Sequence, residues 1–526
     1  MDVQTESYQL LGIVLCSRSR LFVRSEHAVP AVFFFGSQIA VQQIRRKDQE
    51  IMEKFFHLKE HNTTVKTETL AGLTTFMAMA YILMVNSGML GNNILAKDGS
   101  VLYQGPGFNA IYIATAISAI IGTVLTGLMS NLPLAQASGM GLNAFFTYTI
   151  CVGLHFTYAN ALVLVLIDGI VFVILTGTGL RKQLFEAIPK PVRIAIPAGI
   201  GLFIAFIGLQ DAKIVVSNES TLVTLASFNI LKGTTWATFM PILITLLTIF
   251  GIATMAQKKI KGSVLWGILG GGILYYIFGA TVPGFYANLS VNTMNPITAF
   301  SDFGTKSFGK VFTEGFDFSH FLAANKCGTG SLVLAVLTSS LAFCMVDMFD
   351  TMGTLYGACA RGDMLTKDGN VPNMNKAMMA DAIATVTGSV CGTSTVTTFV
   401  ESSAGVAEGG RTGLTSLVTA GMFLIAMFLS PVAALIPGCA TAAALIYVGV
   451  LMMNCVKNID WLSPISAVPA FLTIAIMAFT YNISYGIAFG LVSYLVISIL
   501  VGKIKETKPV TWIIAILFIV MFALSH

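Results

Sequence analysis

Twelve apolar stretches long enough to cross a bilayer fill most of this 526-residue chain. They lie at about 67–90, 108–130, 156–178, 190–209, 236–256, 262–282, 330–357, 376–391, 412–436, 440–456, 464–481 and 484–502. Hydrocarbon offers no partner to a backbone amide, so each stretch has to be a helix. Two further apolar segments, at about 134–152 and 392–408, break that rule. The first contains Ala137-Ser138-Gly139-Met140-Gly141-Leu142-Asn143-Ala144, and the second runs Gly392-Thr393-Ser394-Thr395-Val396-Thr397-Thr398-Phe399-Val400-Glu401-Ser402-Ser403-Ala404-Gly405. Non-helical backbone at membrane depth survives only where protein or water bonds it, so a broken helix lines a cavity. A pair of breaks at matching places in two halves points to the binding site of a carrier.

Composition agrees. Hydrophobic residues make up 55% and charged residues 10% of the chain, and the mean hydropathy is +0.80. Soluble domains carry roughly 25% charge, so the chain reads as an all-α polytopic membrane protein. The net charge of +5 is spread over helix ends with no basic stripe, which argues against a nucleic-acid partner. Eight cysteines include no C-x-x-C pair, so neither a metal site nor a disulfide framework is expected.

Loop charges set the expected topology. With the start in the cytoplasm, the inner loops hold Lys54, Lys59 and Lys66, then Arg181, Lys182, Lys190 and Arg193, then Lys258, Lys259 and Lys261. Arg361, Lys367, Lys376, Arg411, Lys457, Lys503, Lys505 and Lys508 continue the series, while the opposite loops are nearly bare outside 283–329. The bias fits fourteen spans in a multi-pass cell-membrane protein with a cytoplasmic N-terminus. Seven plus seven is an odd-numbered duplication, so the halves must be inverted. Asn143 and Glu401 are each the polar residue of the third segment of their half, 258 positions apart.

Residues 1–51 differ in character. They mix arginines with an apolar stretch at about 28–41 that is too short to span, and Met52-Glu53-Lys54 reads as a natural start. This segment is expected to lie outside the transporter unit of 52–503. The tail, 504–526, holds the short apolar run Val510 to Leu524, readable as an extra span or an interfacial helix.

Ionisable groups inside apolar spans default to a functional reading. Five stand out: Asp168, Asp347, Asp350, Asp381 and Glu401. Asp347 and Asp350 are three apart and share a helix face. Two like charges there repel, so at least one should be protonated or paired; the plainer alternative is a structural pair. Glu401 follows the β-branched run Thr393 to Thr398, an expected short strand feeding a half-helix. It could accept two N–H bonds from a heterocycle edge, or merely cap its helix. Asn143 offers donor and acceptor, or serves as a packing amide. Asp168 and Asp381 read as structural or gating groups rather than ligands.

Three enzyme-like patterns fail on context. His57-Leu58-Lys59-Glu60-His61 fits H-x-x-E-H without a helix to align it. Gly139-Met140-Gly141-Leu142-Asn143-Ala144 fits G-x-G-x-x-A without a strand–helix unit. Asp347 and Asp350 sit on one helix and cannot face each other as a protease dyad. An enzyme is not expected.

From about Phe55 to Lys503 the chain resembles the AzgA-like purine permeases, the adenine/guanine/hypoxanthine branch of the nucleobase:cation symporter-2 family. The resemblance rests on Lys59-Glu60-His61 through Thr67-Glu68, on Ala71-Gly72-Leu73-Thr74-Thr75-Phe76 with Ala80-Tyr81-Ile82, on Gly139 to Phe146, and on Ile196 to Gly208. Asp347-Met348-Phe349-Asp350-Thr351, Gly392 to Gly405, Gly409-Gly410-Arg411-Thr412-Gly413 and Ala444 to Gly449 complete it. It implies a 7+7 inverted repeat with broken spans 3 and 10 and a uracil-transporter-like fold. A core would hold spans within about 67–178 and 330–436, and a gate those within 190–282 and 440–502. Substrate-binding residues would be Asn143, Asp347, Asp350 and Glu401, with Phe399 beside the base; the coupling candidates are Asp347, Asp350 and Glu401. Ser138 and Gln136 depart from the Pro and apolar residue common in the family, which bears on the choice of purine.

The expected function is import of a purine nucleobase by proton symport, with no cofactor. A neutral base gains nothing from the membrane potential, whereas one proton supplies about 2.3 kcal/mol per 100 mV. Sodium coupling stays open at this point. So does oligomeric state, a homodimer through the gate being common among carriers of this fold. The runner-up is an anion transporter of the sulfate-permease type. It is disfavoured by the acidic site, and because this chain ends in an apolar run where such proteins usually carry a soluble domain. A membrane-embedded hydrolase would need a histidine-based or comparable constellation that His27, His57, His61, His155, His320 and His526 do not form.

Overall fold

The computed structural model describes residues 53–524, apart from 54, 96–98, 180–186, 219, 229–233, 283, 286–295, 368–369 and 505–506. The expected extension, residues 1–51, lies outside the described residues, as do Lys54, Arg181, Lys182 and Lys505. Contacts divide the chain into 1–59 and 60–526, and the second unit is the membrane body.

Among the described residues, nine helices are long and apolar enough to cross a membrane. The first, Val65–Gly91, is α1 (Val65–Met79) and α2 (Tyr81–Gly91), separated at Ala80. Then come α3 (Phe108–Ser130), strand β1 (Gln136–Ser138) and the half-helix α4 (Met140–Ala144), which continues as π-helix over Phe145–Gly153. Next are α5 (Tyr158–Thr178), α6 (Lys190–Asp211), α7 (Trp236–Gln257) and α8 (Ser263–Thr281). The second half begins with α9 (Thr329–Arg361) and α10 (Met374–Cys391). Strand β2 (Val396–Thr398), half-helix α11 (Ser402–Ala407) and α12 (Gly413–Met427) follow. The chain ends with α13 (Gly438–Met452), α14 (Pro464–Phe479), α15 (Ile483–Leu500) and α16 (Pro509–Leu524).

Local chemistry accounts for many of the ends. Thr64 caps α1 by accepting from Thr67 N at 3.2 Å, and Thr157 with Asn160 forms a capping box on α5. α10 stops at Gly392, whose φ of +92° is the left-handed conformation that glycine adopts without strain. The apolar stretch at 412–436 is shorter as a helix than its hydropathy implied. α12 ends at Met427 and a separate turn covers Ser430–Ala433, ahead of Pro437.

Helices pack in two groups. α1, α3 and α5 lie against α10, α11 and α12, with α2 against α3 and α9 against α5; α6 lies against α13 and α14, and α7 against α8 and α13. Small residues permit the close approaches. A Cβ on Gly127 of α3 would sit 2.8 Å from the carbonyl of Gly413 on α12.

The two breaks meet at the centre of the first group. β1 and β2 pair antiparallel, with Gln136 opposite Thr398, Ala137 opposite Thr397 and Ser138 opposite Val396. Gly139 N donates to Thr395 O (3.0 Å) and Phe399 N to Ala135 O (3.0 Å), extending the ribbon at both ends. Its outer edges are closed by side chains. Thr123 of α3 exchanges hydrogen bonds with the backbone of Gln136 (3.0 and 2.9 Å), and Thr385 of α10 does the same for Val396 (3.2 and 3.3 Å). Thus the non-helical amides are bonded by protein.

Candidate functional site

The half-helices leave the ribbon at a small cavity of about 40 Å³, room for a few waters. Asp350, Thr398, Phe399, Val400 and Glu401 line one side. Tyr81 of α2, Met140 and Gly141 of α4, and Val448 and Met452 of α13 complete the wall.

Glu401 stands between β2 and α11, at the point where the chain turns from strand to helix. It is half-buried, and its Oε1 accepts from Tyr81 Oη at 2.6 Å. Asp350 is also half-buried, on α9, and its Oδ2 accepts from Thr397 Oγ1 at 3.4 Å. Two carboxylates and a phenol therefore face one opening, with the nearly buried ring of Phe399 beside them. No lysine or arginine is among the lining residues.

The structure thus brings together three of the five expected site residues: Asp350, Phe399 and Glu401. Asn143 is buried behind the cavity. Its Oδ1 accepts from Ser394 Oγ and its Nδ2 donates to Ser138 O (3.4 Å), so it ties one break to the other. Asp347 is buried on α9 one turn from Asp350 and is not part of the lining. Asp381 accepts from Thr351 Oγ1 (2.8 Å) and Gln136 Nε2 (3.4 Å), behind the ribbon. Asp168 is buried on α5, likewise away from the cavity.

The two departures from the family pattern are also turned inward. Ser138 Oγ shares a hydrogen bond with Thr393 Oγ1 (2.7 Å), which in turn accepts from Asn86 Nδ2 (2.9 Å). Gln136 Nε2 reaches both Asp381 and Thr398 Oγ1 (3.3 Å). Only through Thr398 does that network touch the cavity.

Two residues escaped the sequence reading. Tyr81 carries a hydroxyl to Glu401, yet a lone tyrosine in an apolar helix reads as core; its signal was its place in Ala80-Tyr81-Ile82. Glu68 is fully buried. It accepts from Arg411 N (2.9 Å), Thr412 N (3.3 Å), Thr415 N (3.2 Å) and Thr415 Oγ1 (2.5 Å), anchoring the start of α12. A carboxylate at a helix N-terminus is stabilised by the dipole and by amides otherwise left unbonded. Its signal was its place in the matching stretch that ends Thr67-Glu68.

Known proteins resemble this chain at both levels. Residues 66–489 match the permease family. The guanine/hypoxanthine permease PbuO of Bacillus subtilis (strain 168) is 38% identical over 477 residues, covering 88% of this chain and 99% of the relative. The adenine permease AdeP of Escherichia coli (strain K12) is 34% identical over 480 residues, 91% of this chain and 98% of the relative. Among solved structures, the transmembrane domain of a cyanobacterium bicarbonate transporter, BicA, superposes with a TM-score of 0.51 at 17% identity, covering 82% of this chain and 96% of that one. The murine Solute Carrier 26 family member A9 anion transporter in the inward-facing state gives 0.53 at 12%, over 94% and 75%. At such identities these two show a shared fold alone. The chain belongs to the permease family, and is a transporter rather than an enzyme.

Proposed function

We propose that this member of the permease family carries a purine nucleobase through the cavity formed where its two broken segments meet. The observation that carries the reading is the β1–β2 ribbon, which sets Glu401 and Asp350 around one opening with Tyr81 and Phe399. A neutral purine has N–H donors and ring acceptors along its edges and two flat faces. Glu401 presents two acceptor oxygens to such an edge, Tyr81 holds that carboxylate in place, and the Phe399 ring suits a flat face. Relatives named for guanine, hypoxanthine and adenine support the substrate class.

The wider reading takes the chain as fourteen spans in a 7+7 inverted repeat. The nine long helices count with the two broken segments, α10, α12 and α14. Support comes from the ribbon, whose edges are closed by a threonine of the preceding helix in each half, Thr123 and Thr385. The first helix group would be the core and the second the gate. Loop lysines and arginines support a cytoplasmic N-terminus in the cell membrane. Proton coupling completes the proposal, with Asp350 and Glu401 as the groups able to take the proton from the cavity.

An anion substrate, as the names of the two solved transporters suggest for them, fits this cavity poorly. Two carboxylates face it and no cation lines it. The test is uptake of a labelled purine competed by adenine, guanine, hypoxanthine, xanthine, uracil, bicarbonate and sulfate, with and without a protonophore. Purines are expected to compete and uracil not to, and the protonophore should abolish accumulation. Uptake competed by uracil alone, or by bicarbonate or sulfate, would overturn the reading.

A further inference from the structure

A second cavity, of about 610 Å³, opens where α2 ends, remote from the end that holds Glu68 and Arg411. That volume is within the ~300–1,000 Å³ of small-molecule sites. It lies in line with the central cavity. Tyr81 of the central wall is followed along α2 by Met84, Gly88 and Asn92 of the outer one, spaced three, four and four residues apart. On α13, Gly438 and Thr441 line the outer cavity while Val448 and Met452 line the inner. Such spacing keeps each set on one helix face. Two helix faces therefore run from one cavity to the other.

The lining chemistry is specific in kind. Its charged residues are Asp302 and Lys306, which pair with each other at 2.7 Å, so the walls carry no net charge to hold an ion. The amides of Asn92 and Asn109 and the hydroxyls of Thr298 and Thr441 can donate and accept. Phe108, stacked on Tyr112 at a centroid distance of 6.1 Å, adds an aromatic wall. Uncharged hydrogen-bonding groups beside an aromatic ring suit a neutral planar heterocycle.

We infer that this vestibule is a second, weaker binding site for the same purine base, in series with the central one. The inference rests on the purine reading above. A base held there exchanges part of its hydration for amide and hydroxyl contacts before it reaches Glu401, and the site raises the local concentration of substrate.

The experiment is equilibrium binding of the purine selected by the competition assay to the purified full-length chain, together with uptake kinetics. Four proteins are compared: wild type, Glu401→Gln, the double variant Asn109→Leu/Thr441→Val, and all three changes combined. Wild type is expected to show a tight and a weak class of site. Glu401→Gln should keep the weak class, and the combined variant should lose both. The double variant should keep the tight class, weaken the other roughly tenfold or more as neutral hydrogen bonds are lost, and raise the KM of uptake at an unchanged maximal rate. A Glu401→Gln protein that binds no base, or a double variant with wild-type KM and an intact weak class, would overturn the vestibular site. Tight binding surviving in Glu401→Gln would instead overturn the central reading, and the vestibule would then stand or fall on the double variant alone.

Discussion

Glu401 and Tyr81 share one hydrogen bond at 2.6 Å across the cavity wall, and that contact sets the residue-scale expectations. A charge-assisted hydrogen bond contributes roughly 1.5–3 kcal/mol. Glu401→Gln replaces two acceptors by one, so base affinity should fall about ten- to a hundredfold while the protein still reaches the membrane; binding to purified protein checks this. Wild-type affinity in that variant would remove Glu401 from the ligand set. Asp350 and Asp347, alike by spacing, are separated by the fold, because only Asp350 reaches the cavity. Asp350→Asn should lose gradient-driven accumulation, and should lose equilibrium base exchange as well if Asp350 also bonds the base. Asp347→Asn should retain exchange. The opposite pattern, with Asp347→Asn dead in exchange and Asp350→Asn normal in both assays, would exchange their roles. Charge at membrane depth made these carboxylates legible in the sequence, whereas Tyr81 hid among ordinary core aromatics.

At the scale of elements, the two breaks were legible as breaks and their pairing was not. Thr393 to Thr398 reads as a strand from its β-branched run, yet only Val396–Thr398 forms one, since the ribbon is as long as its partner allows. No spacing rule couples Gln136 to Thr398 across 262 positions. The half-helix α4 sits close against α6 because Gly141 has no side chain; a Cβ there would run into Ile200. Gly141→Ala should therefore displace a wall of the cavity and reduce uptake at least tenfold, the direction expected of overpacking that costs ~1–3 kcal/mol. Adding Ile200→Ala should restore most of that loss. Uptake measured for the single and double variants decides, and a double variant no better than Gly141→Ala would show that the contact with α6 is not the cause.

At the scale of the whole molecule, one ion pair among the described residues joins the two helix groups at the end rich in loop lysines. Lys261, between α7 and α8, meets Glu408, just after α11, at 2.6 Å. Both side chains are well exposed, and an exposed pair contributes ~0–1 kcal/mol. Glu408→Gln should leave the thermal midpoint nearly unchanged. If the core and gate shift during transport, the same limit allows the balance between conformations to change by at most about fivefold, so uptake should stay within that range. Loss of transport beyond it, with the fold intact, would mean that Glu408 does more than form this pair.

Hydropathy by itself determined that the chain crosses a membrane many times. Two breaks in the apolar pattern marked the candidate site, because apolar length and broken helices are local properties that hydrocarbon permits in few ways. The sequence also singled out the candidate carboxylates, since an ionisable group at membrane depth is rare enough to notice. Which of them share an opening was decided only by the tertiary structure. Asn143 turned inward to bond Ser394, Asp347 stayed one turn short of the cavity, and Tyr81 arrived from a helix 320 positions before its partner. A side chain's direction depends on the helix rotation and strand register imposed by distant neighbours, and no local pattern encodes those.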